Sequence, residues 1–552
     1  MNYRYVRVGN EKDLKKGEIR QISVKDNKIL LARNEDGFFA TAAYCTHYGA
    51  PLEKGVLNGE RVVCPWHNAC FNIKNGNLEE PPALDALPSF PVSVEGGDVI
   101  VQLPEEIPFE RTPEMTKYNP HADNRTFVIL GAGAAGSMAA ETLRQGFPSE
   151  FFSSKKIPMG ARQAGFEGRV VMLTREDILP YDRTNLSKKY LQNDSEKDSL
   201  VLRSLEFYNE WDIEVYSHKL VTKVEAAKKT ITFEDNTTLE YDALLVATGG
   251  KARNLKVPGA DLDNIFTLRQ PEDADKITVA AENAKTAVVV GSSFIGMEAA
   301  SSLTQRGIKV TVVAPGTVPF EKILGRDIGA TFRKLYESNG VSFRMGTKVK
   351  QFEGNGKVET AVLESGECLN ADLVVVGIGV EPVTDFLQGV ELNEKDGSVN
   401  VDEYLQAADC LYVAGDIVRF PYAATGEPTR IEHWRLAQQH GRIAARNMIG
   451  EKIKFASVPF FWSGQFDVKL RYAGHAEDWD DIIIQGNLDE QEFLAFYVKN
   501  NRVLAVAGSQ HDQDITAITE LMRSQQMPSA DEVRKGAINW VEKMNDRQLV
   551  SC

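Results

Sequence analysis

From Met1 to about Leu103 the chain offers short runs in which apolar and polar positions alternate, KILLARN, GFFATAAY and DVIVQL among them, punctuated by glycine. Alternation of that kind predicts a small all-β unit. At Phe127 the pattern changes to compact apolar strands, FVILG, RVVML, YDALLVATG, AVVVG, KVTVVA, ADLVVVGIG and CLYVAGD, separated by helix-like stretches. Uninterrupted apolar strands are buried on both faces, as in parallel α/β sheets. From about Lys452, strands DIIIQG, FLAFYVK and VLAVAG precede a helical pattern around ITAITELMRS, which predicts a separate α+β domain. The segment EEIPFERTPEMTKYNPHADN has three prolines, mixed charges and no hydrophobic face, so it reads as a linker. The expected organisation is therefore multidomain. An all-β domain over 1–104 and a linker over 105–123 come first. Two doubly wound α/β domains follow, one over 124–255 and 388–452, the other inserted over 256–387, and an α+β domain over 453–552 ends the chain.

The 552 residues fit three or four domains. No apolar run comes near the length of a bilayer span, and MNYRYVRVGNEKDLKKGEIR has neither an apolar signal core nor the acid-poor composition of a transit peptide. These features point to a cytoplasmic protein. A formal charge of −15 argues against a nucleic-acid partner and suits a basic protein acceptor better. The six cysteines, Cys45, Cys64, Cys70, Cys368, Cys410 and Cys552, are scattered over several domains. That distribution is unlike a disulfide scaffold and leaves metal binding as the chemistry to look for.

Cys45-Thr46-His47 is followed, after residues 48–63, by Cys64-Pro65-Trp66-His67. Two thiolates on one iron and two imidazoles on the other make the mixed-ligand two-iron two-sulfur centre. Neutral imidazole in place of thiolate lowers the cluster's negative charge and raises its potential. The competing reading is a structural zinc site, for which C-x-H and C-x-x-H spacing is unusual. The surrounding CTHYGAPL and CPWHNACF resemble Rieske proteins, with Cys45, His47, Cys64 and His67 as the metal ligands. High-potential members of that family carry a disulfide where this chain has Ala50 and Trp66, and a serine where it has Ala69. The resemblance is thus to soluble Rieske ferredoxins, with a potential toward the low end, about −150 mV, of the family range. Cys70 reads as core packing.

FVILGAGAAGSMAAETLR places Gly131, Gly133, Ala134, Ala135 and Gly136 after a strand and at the opening of a helix. Glycines there permit a tight turn and close approach to a pyrophosphate held at the positive helix end. Glu176, after the next strand, suits a ribose hydroxyl, with Arg175 beside it. A second copy, AVVVGSSFIGMEAASSL, supplies Gly291, Ser293 and Gly296, with serine in the middle position. Ala314 stands where an acid usually marks NAD, yet no arginine follows to bind a 2′-phosphate, so NADH and NADPH both stay open.

LPYDRTNLSK, LLVATGG, VVVGIGVEP, LYVAGDIV, IEHW and PFFWSGQ resemble, in order, the motifs of pyridine-nucleotide-linked flavoprotein reductases. That resemblance implies FAD contacts at Arg183, Lys188, Val221, Thr248, Gly249, Asp416, His433, Trp434 and Trp462. It implies NAD(P)H contacts at Phe294, Ile295, Gly377, Gly379 and Glu432. Lys188 and Glu298 would form an ion pair beside the flavin and serve the catalytic step. The redox CxxxxC of glutathione-reductase relatives is missing. The whole architecture resembles the Rieske-containing apoptosis-inducing factor-like proteins nearly end to end. Bacterial ferredoxin reductases resemble its reductase part.

The resemblance implies FAD, a [2Fe-2S] cluster and NAD(P)H as cofactors, with electrons passing from NAD(P)H through FAD to the cluster and on to an unknown acceptor. A redox-sensing or death-signalling protein with little turnover is the alternative. A self-sufficient oxygenase needs a two-His one-carboxylate iron site, and His121, His218, His440, His475 and His511 are scattered singly. A homodimer is one option for the assembly. One departure is GFPSEFFSSKKIPMGARQ, residues 146–163, whose removal leaves an ordinary short helix-to-strand connection. It reads either as a surface loop or as an insertion absent from the natural protein.

Overall fold

The computed structural model describes residues 3–148, 162–163, 165–536 and 538–546. The N-terminal unit is built of small antiparallel sheets. One joins Tyr3–Asn10, Asp98–Pro104 and Val92–Glu95, a second Glu18–Val24, Asn27–Asn34, Gly37–Ala42 and Ser89–Phe90, and a third Val56–Asn58, Arg61–Val63, Cys70–Asn72 and Leu78–Glu80. The third sheet shares a core with the second, in which Leu30, Ala32, Leu52, Leu57, Val62, Phe71 and Leu78 pack with Cys45 and Cys64.

The apolar strands of the middle region form two sheets. One has the order Ile213–Tyr216, Arg169–Leu173, Thr126–Leu130, Ala243–Val246, Leu411–Val413, Gln406–Ala408, parallel up to its antiparallel last strand. The other is fully parallel: Ile265–Thr267, Leu373–Val376, Thr286–Val290, Lys309–Ala314, Ser342–Met345. Strands 406–413 return to the first sheet after the second is complete, so the second domain is an insertion in the first. The antiparallel pair Gly250–Ala252 and Val380–Pro382 carries the chain out and back. The C-terminal domain is a five-stranded antiparallel sheet, Phe460–Gln465, Val468–Gly474, Arg502–Ser509, Glu492–Lys499, Asp481–Asn487, with helix Asp512–Arg523 behind it.

The proline-rich segment after the N-terminal unit contains no helix or longer strand, but it is tied down. Arg111 bridges to Ala86, the Thr116 amide donates to the Arg144 carbonyl at 2.8 Å, and the Asn119 amide to the Glu167 carbonyl at 2.8 Å. Backbone pairing fixes it, with Ile107 packed against the core of the N-terminal unit. Of residues 146–163, Phe147–Pro148 pair with Arg162–Gln163, and the remainder lie outside the described residues. Just beyond, the Phe166 amide donates to the Leu143 carbonyl at 2.6 Å, so the helix end and the next strand meet directly.

The N-terminal unit docks on both neighbours through buried charges. Glu80 accepts from Arg435 at 2.6 Å, Gln439 at 2.7 Å and Arg61 at 3.0 Å, and Arg435 is 1% exposed. Arg61 reaches Glu520 of the C-terminal helix at 3.2 Å, and Arg203 joins Asp85 at 2.7 Å to Glu141 at 3.1 Å. Beside these ions Val56, Val63 and Cys70 share one apolar core with Phe460, Ile515 and Ile518 of the C-terminal domain.

Candidate functional site

A long cleft runs along the C-terminal ends of the first parallel sheet, where α/β folds bind ligands. Gly131, Gly133, Ala134, Ala135, Glu176, Arg183, Val221, Thr248, Gly249, Ile295, Asp416, Glu432 and Trp434 all line it. Gly131 turns at φ +112°, and a Cβ there would lie 2.2 Å from the Ala247 carbonyl oxygen. Gly133 lines the cleft, and no protein atom lies within 4 Å of where its Cβ would be. Helix Ala134–Arg144 begins at this point with no side-chain cap, leaving its first amides for an anion. Gly136 lies behind, where a Cβ would strike the Gly131 carbonyl.

Arg269 also lines the cleft and pairs with Asp416 at 2.7 Å, while Arg183 reaches Glu176 at 3.2 Å. Sequence reasoning missed Arg269. Its strand-to-helix position in TLRQPED carries no glycine signature, and only folding brings it across to Asp416. Tyr181, Thr184, Lys219 and Ala437 also line it without having been singled out. At the far end the N-terminus of helix Trp434–Met448 faces the cleft through Trp434 and Ala437. His433, its cap residue, is half-buried, its Nδ1 has no partner among the described residues, and desolvation lowers its pKa to about 3.

Helix Phe294–Gln305 opens the second site. A Cβ on Gly291 would strike the Gly377 carbonyl, and one on Gly377 would meet the Gly296 backbone at 3.0 Å, so these three pack backbone on backbone. Ser293, the cap residue, has φ −93° and ψ −178°, extended backbone that serine adopts without strain. Gly379 turns at φ +96° in the neighbouring loop. Phe294 packs on Phe320 and Phe461, each with ring centroids 4.8 Å away.

Glu298, 4% exposed, accepts from Lys188 Nζ at 2.9 Å, from Ser187 Oγ at 2.5 Å and from Ser463 Oγ at 2.5 Å. The expected ion pair is therefore present and has a donor from the C-terminal domain as well. Lys188 also donates to the Thr184 carbonyl at 2.9 Å, so one of its three hydrogens stays available.

In the N-terminal unit the Cys45 amide donates to the Ala50 carbonyl at 2.9 Å and the Cys64 amide to the Ala69 carbonyl at 2.8 Å, giving two matching loops. The amides of His47 and Tyr48 point at Cys45 Sγ, and those of Trp66 and His67 at Cys64 Sγ. His47 Nδ1 and His67 Nδ1 stand 3.0 Å apart, close enough to ligate one metal ion. Burial lowers the pKa of His47 to about 4 and holds that of His67 well below the usual imidazole range, which keeps both imidazoles neutral, the ligating form. Among the described residues no three His, Cys, Asp or Glu side chains converge on one ion. A two-iron cluster needs only two pairs, and the same observation leaves no oxygenase iron site among those residues. Ala50, Trp66 and Ala69 supply neither a disulfide nor a hydroxyl here. Cys70 is buried in the interdomain core, with Sγ 3.6 Å from Glu79.

Trp462 does not line the flavin-like cleft. Its ring lies 4.3 Å from that of His67 and 6.1 Å from that of His47, centroid to centroid. Strand Phe460–Gln465 explains this, because its side chains alternate. Phe461 and Ser463 face Phe294 and Glu298, while Trp462 faces the cluster loops. Tyr48 adds a second bridge, donating to Asp182 at 2.6 Å beside the cleft residues Tyr181 and Arg183.

A Rieske-type ligand set, a flavin-sized dinucleotide cleft and a second glycine loop on one frame define a flavin- and pyridine-nucleotide-dependent oxidoreductase. Comparison with known proteins agrees: residues 125–441 match the pyridine nucleotide-disulphide oxidoreductase family, 4–91 the Rieske [2Fe-2S] domain and 460–539 the reductase C-terminal domain. The chain belongs to the pyridine nucleotide-disulphide oxidoreductase family, in its Rieske-containing, apoptosis-inducing factor-like branch. It is 39% identical over 524 residues to apoptosis-inducing factor 3 of Mus musculus, covering 93% of this chain and 83% of that protein. Rhodocoxin reductase of Rhodococcus erythropolis is 31% identical over 411 residues, covering 74% of this chain and 91% of that one. The reductase in the covalent putidaredoxin reductase–putidaredoxin complex superposes with a TM-score of 0.69 at 27% identity, covering 77% of this chain and 99% of that chain. The enzyme binds FAD and NAD(P)H, and its Rieske domain carries a [2Fe-2S] cluster. Among the described residues no helix is long and apolar enough to cross a membrane.

Proposed function

We propose that the chain transfers electrons from NAD(P)H through FAD to its own Rieske cluster and on to an external acceptor. The observation that carries this reading is strand Phe460–Gln465. It puts Trp462 on the cluster ligand His67 and the next residue, Ser463, on Glu298, partner of Lys188. Bound FAD supplies the conversion between hydride and single-electron chemistry. The other tasks fall to side chains. Gly131, Gly133 and the amides of helix Ala134–Arg144 hold the flavin's pyrophosphate, Asp416 accepts from its ribityl chain, and Glu176 accepts from its ribose. Gly291, Ser293, Phe294, Ile295, Gly296, Gly377 and Gly379 seat the nicotinamide nucleotide, with Glu432 at the junction. Lys188, fixed by Glu298, orients the two rings. Cys45, Cys64, His47 and His67 hold the cluster. The name of the putidaredoxin reductase–putidaredoxin complex records a separate partner, putidaredoxin, for that relative. Here the corresponding redox module is part of the chain.

Anaerobic mixing of the intact protein with NADH, and separately with NADPH, tests the route. Flavin bleaching followed within one turnover by the electron-paramagnetic signal of the reduced cluster is the expected result. A long-lived reduced flavin beside an oxidised cluster would overturn it in favour of the redox-sensing reading. Glu298→Ala should leave FAD bound but free Lys188, slowing flavin reduction by NAD(P)H about a hundredfold, as misplacement of reacting groups does. Stopped-flow absorbance checks it.

A further inference from the structure

The cluster ligands do not meet only their own domain. Strand Val468–Gly474 runs antiparallel to Phe460–Gln465 with Arg471 opposite Trp462, the residue whose ring covers His67. Arg471 is 4% exposed. Among the described residues its Nε has no hydrogen-bond partner, its nearest carboxylate is Asp512 at 3.6 Å, and Nη1 reaches only the Leu470 carbonyl at 3.5 Å. Its charge acts on both Cys64 and His67. Two other cations bear on His67, but Lys469 is exposed to solvent and Lys188 is compensated by Glu298 at 2.9 Å. Asp182, the acid acting on His47, is taken by the Tyr48 hydroxyl at 2.6 Å. A permanent guanidinium charge, buried and poorly paired, is thus fixed beside the cluster by a different domain.

We infer that Arg471 is a tuning residue that raises the potential of the docked Rieske cluster and so draws the electron from flavin to cluster. The inference rests on the proposed presence of the cluster at Cys45, His47, Cys64 and His67, but not on the route by which it is filled. One-electron reduction adds one negative charge to the cluster, and a nearby fixed cation in a weakly screened interior stabilises that state selectively. The low potential expected from the missing disulfide and serine is then offset from outside the Rieske domain.

The test is a mediated redox titration of the full-length protein, with the cluster followed by electron-paramagnetic resonance and poised by dithionite rather than NAD(P)H. In Arg471→Met the electron should partition at least tenfold less onto the cluster, about 59 mV for one electron. Arg471→Lys should recover most of that loss. Asp512→Asn, which removes the partial counter-charge, should shift the partition the other way by about threefold. An unchanged midpoint in Arg471→Met with cluster and FAD content intact would overturn the inference. If that variant fails to fold, Asp512→Asn decides alone, and an unchanged or lowered midpoint refutes the proposal. Normal tuning together with no cluster reduction by NAD(P)H would instead sink the proposed electron route and leave this inference standing.

Discussion

Replacing Glu80 by alanine should destabilise the protein by about 3–5 kcal/mol and loosen the docking of the N-terminal domain, so that on the proposed electron route the cluster fills more slowly. The carboxylate accepts from Arg435 and Gln439 of the flavin-binding domain and from Arg61 of its own, and Arg61 in turn reaches Glu520 of the C-terminal domain. Without it Arg435, 1% exposed, keeps a buried charge with no anion, and that orphaned charge is the main cost. Calorimetry should show a lower Tm. Stopped-flow should show flavin reduction by NAD(P)H nearly intact while cluster reduction slows at least tenfold, since the N-terminal domain is held less closely to strand Phe460–Gln465. The same contact fixes an acid dependence. Burial pushes the Glu80 carboxyl up, but Arg61 and Arg435 outweigh it and bring the pKa down to about 2. A depressed carboxylate stabilises the fold fully above its unfolded pKa of about 4.3 and loses that contribution as pH falls toward 2. Wild-type docking should therefore weaken between those values, and Glu80→Gln should lack that dependence.

Gly441→Ala should cost about 3 kcal/mol and empty the flavin cleft, although residue 441 does not itself line it. Helix Trp434–Met448 crosses helix Ala134–Arg144 so closely that a Cβ at position 441 would lie 2.0 Å from the Ala135 carbonyl oxygen and 3.0 Å from its Cα. Neither backbone can yield without moving a wall of the cleft, because Ala134 and Ala135 line one side and Trp434 and Ala437 the other. The expected outcome is purified protein depleted of FAD while the Rieske signal is retained. Full flavin occupancy at wild-type Tm would show that the helices separate freely.

Net charge describes the whole chain and not a buried centre within it. The chain carries −15, while the charges acting on His67 are the cations Arg471, Lys188 and Lys469. Local field, not net charge, governs what approaches a redox centre. Trp462 teaches the matching lesson for motifs. PFFWSGQ was legible as a reductase signature, but which face of the strand each side chain takes depends on what packs on either side of the sheet.

The sequence by itself determined the local chemistry. The Cys-x-His and Cys-x-x-His pairs at Cys45, His47, Cys64 and His67 and the two glycine turns are set by residues a few positions apart, and the order of the domains by the run of patterns along the chain. Such features are fixed by short-range sterics and by donor type, which spacing records directly. The tertiary structure decided how the modules are wired. Arg269 on Asp416, Glu80 on Arg435, Gly441 on Ala135, Tyr48 on Asp182 and Arg471 beside the cluster all join residues far apart in the chain. Their energies come from burial and charge pairing across surfaces that no local pattern encodes, so the cluster's inward-facing imidazoles became visible only once the domains had docked.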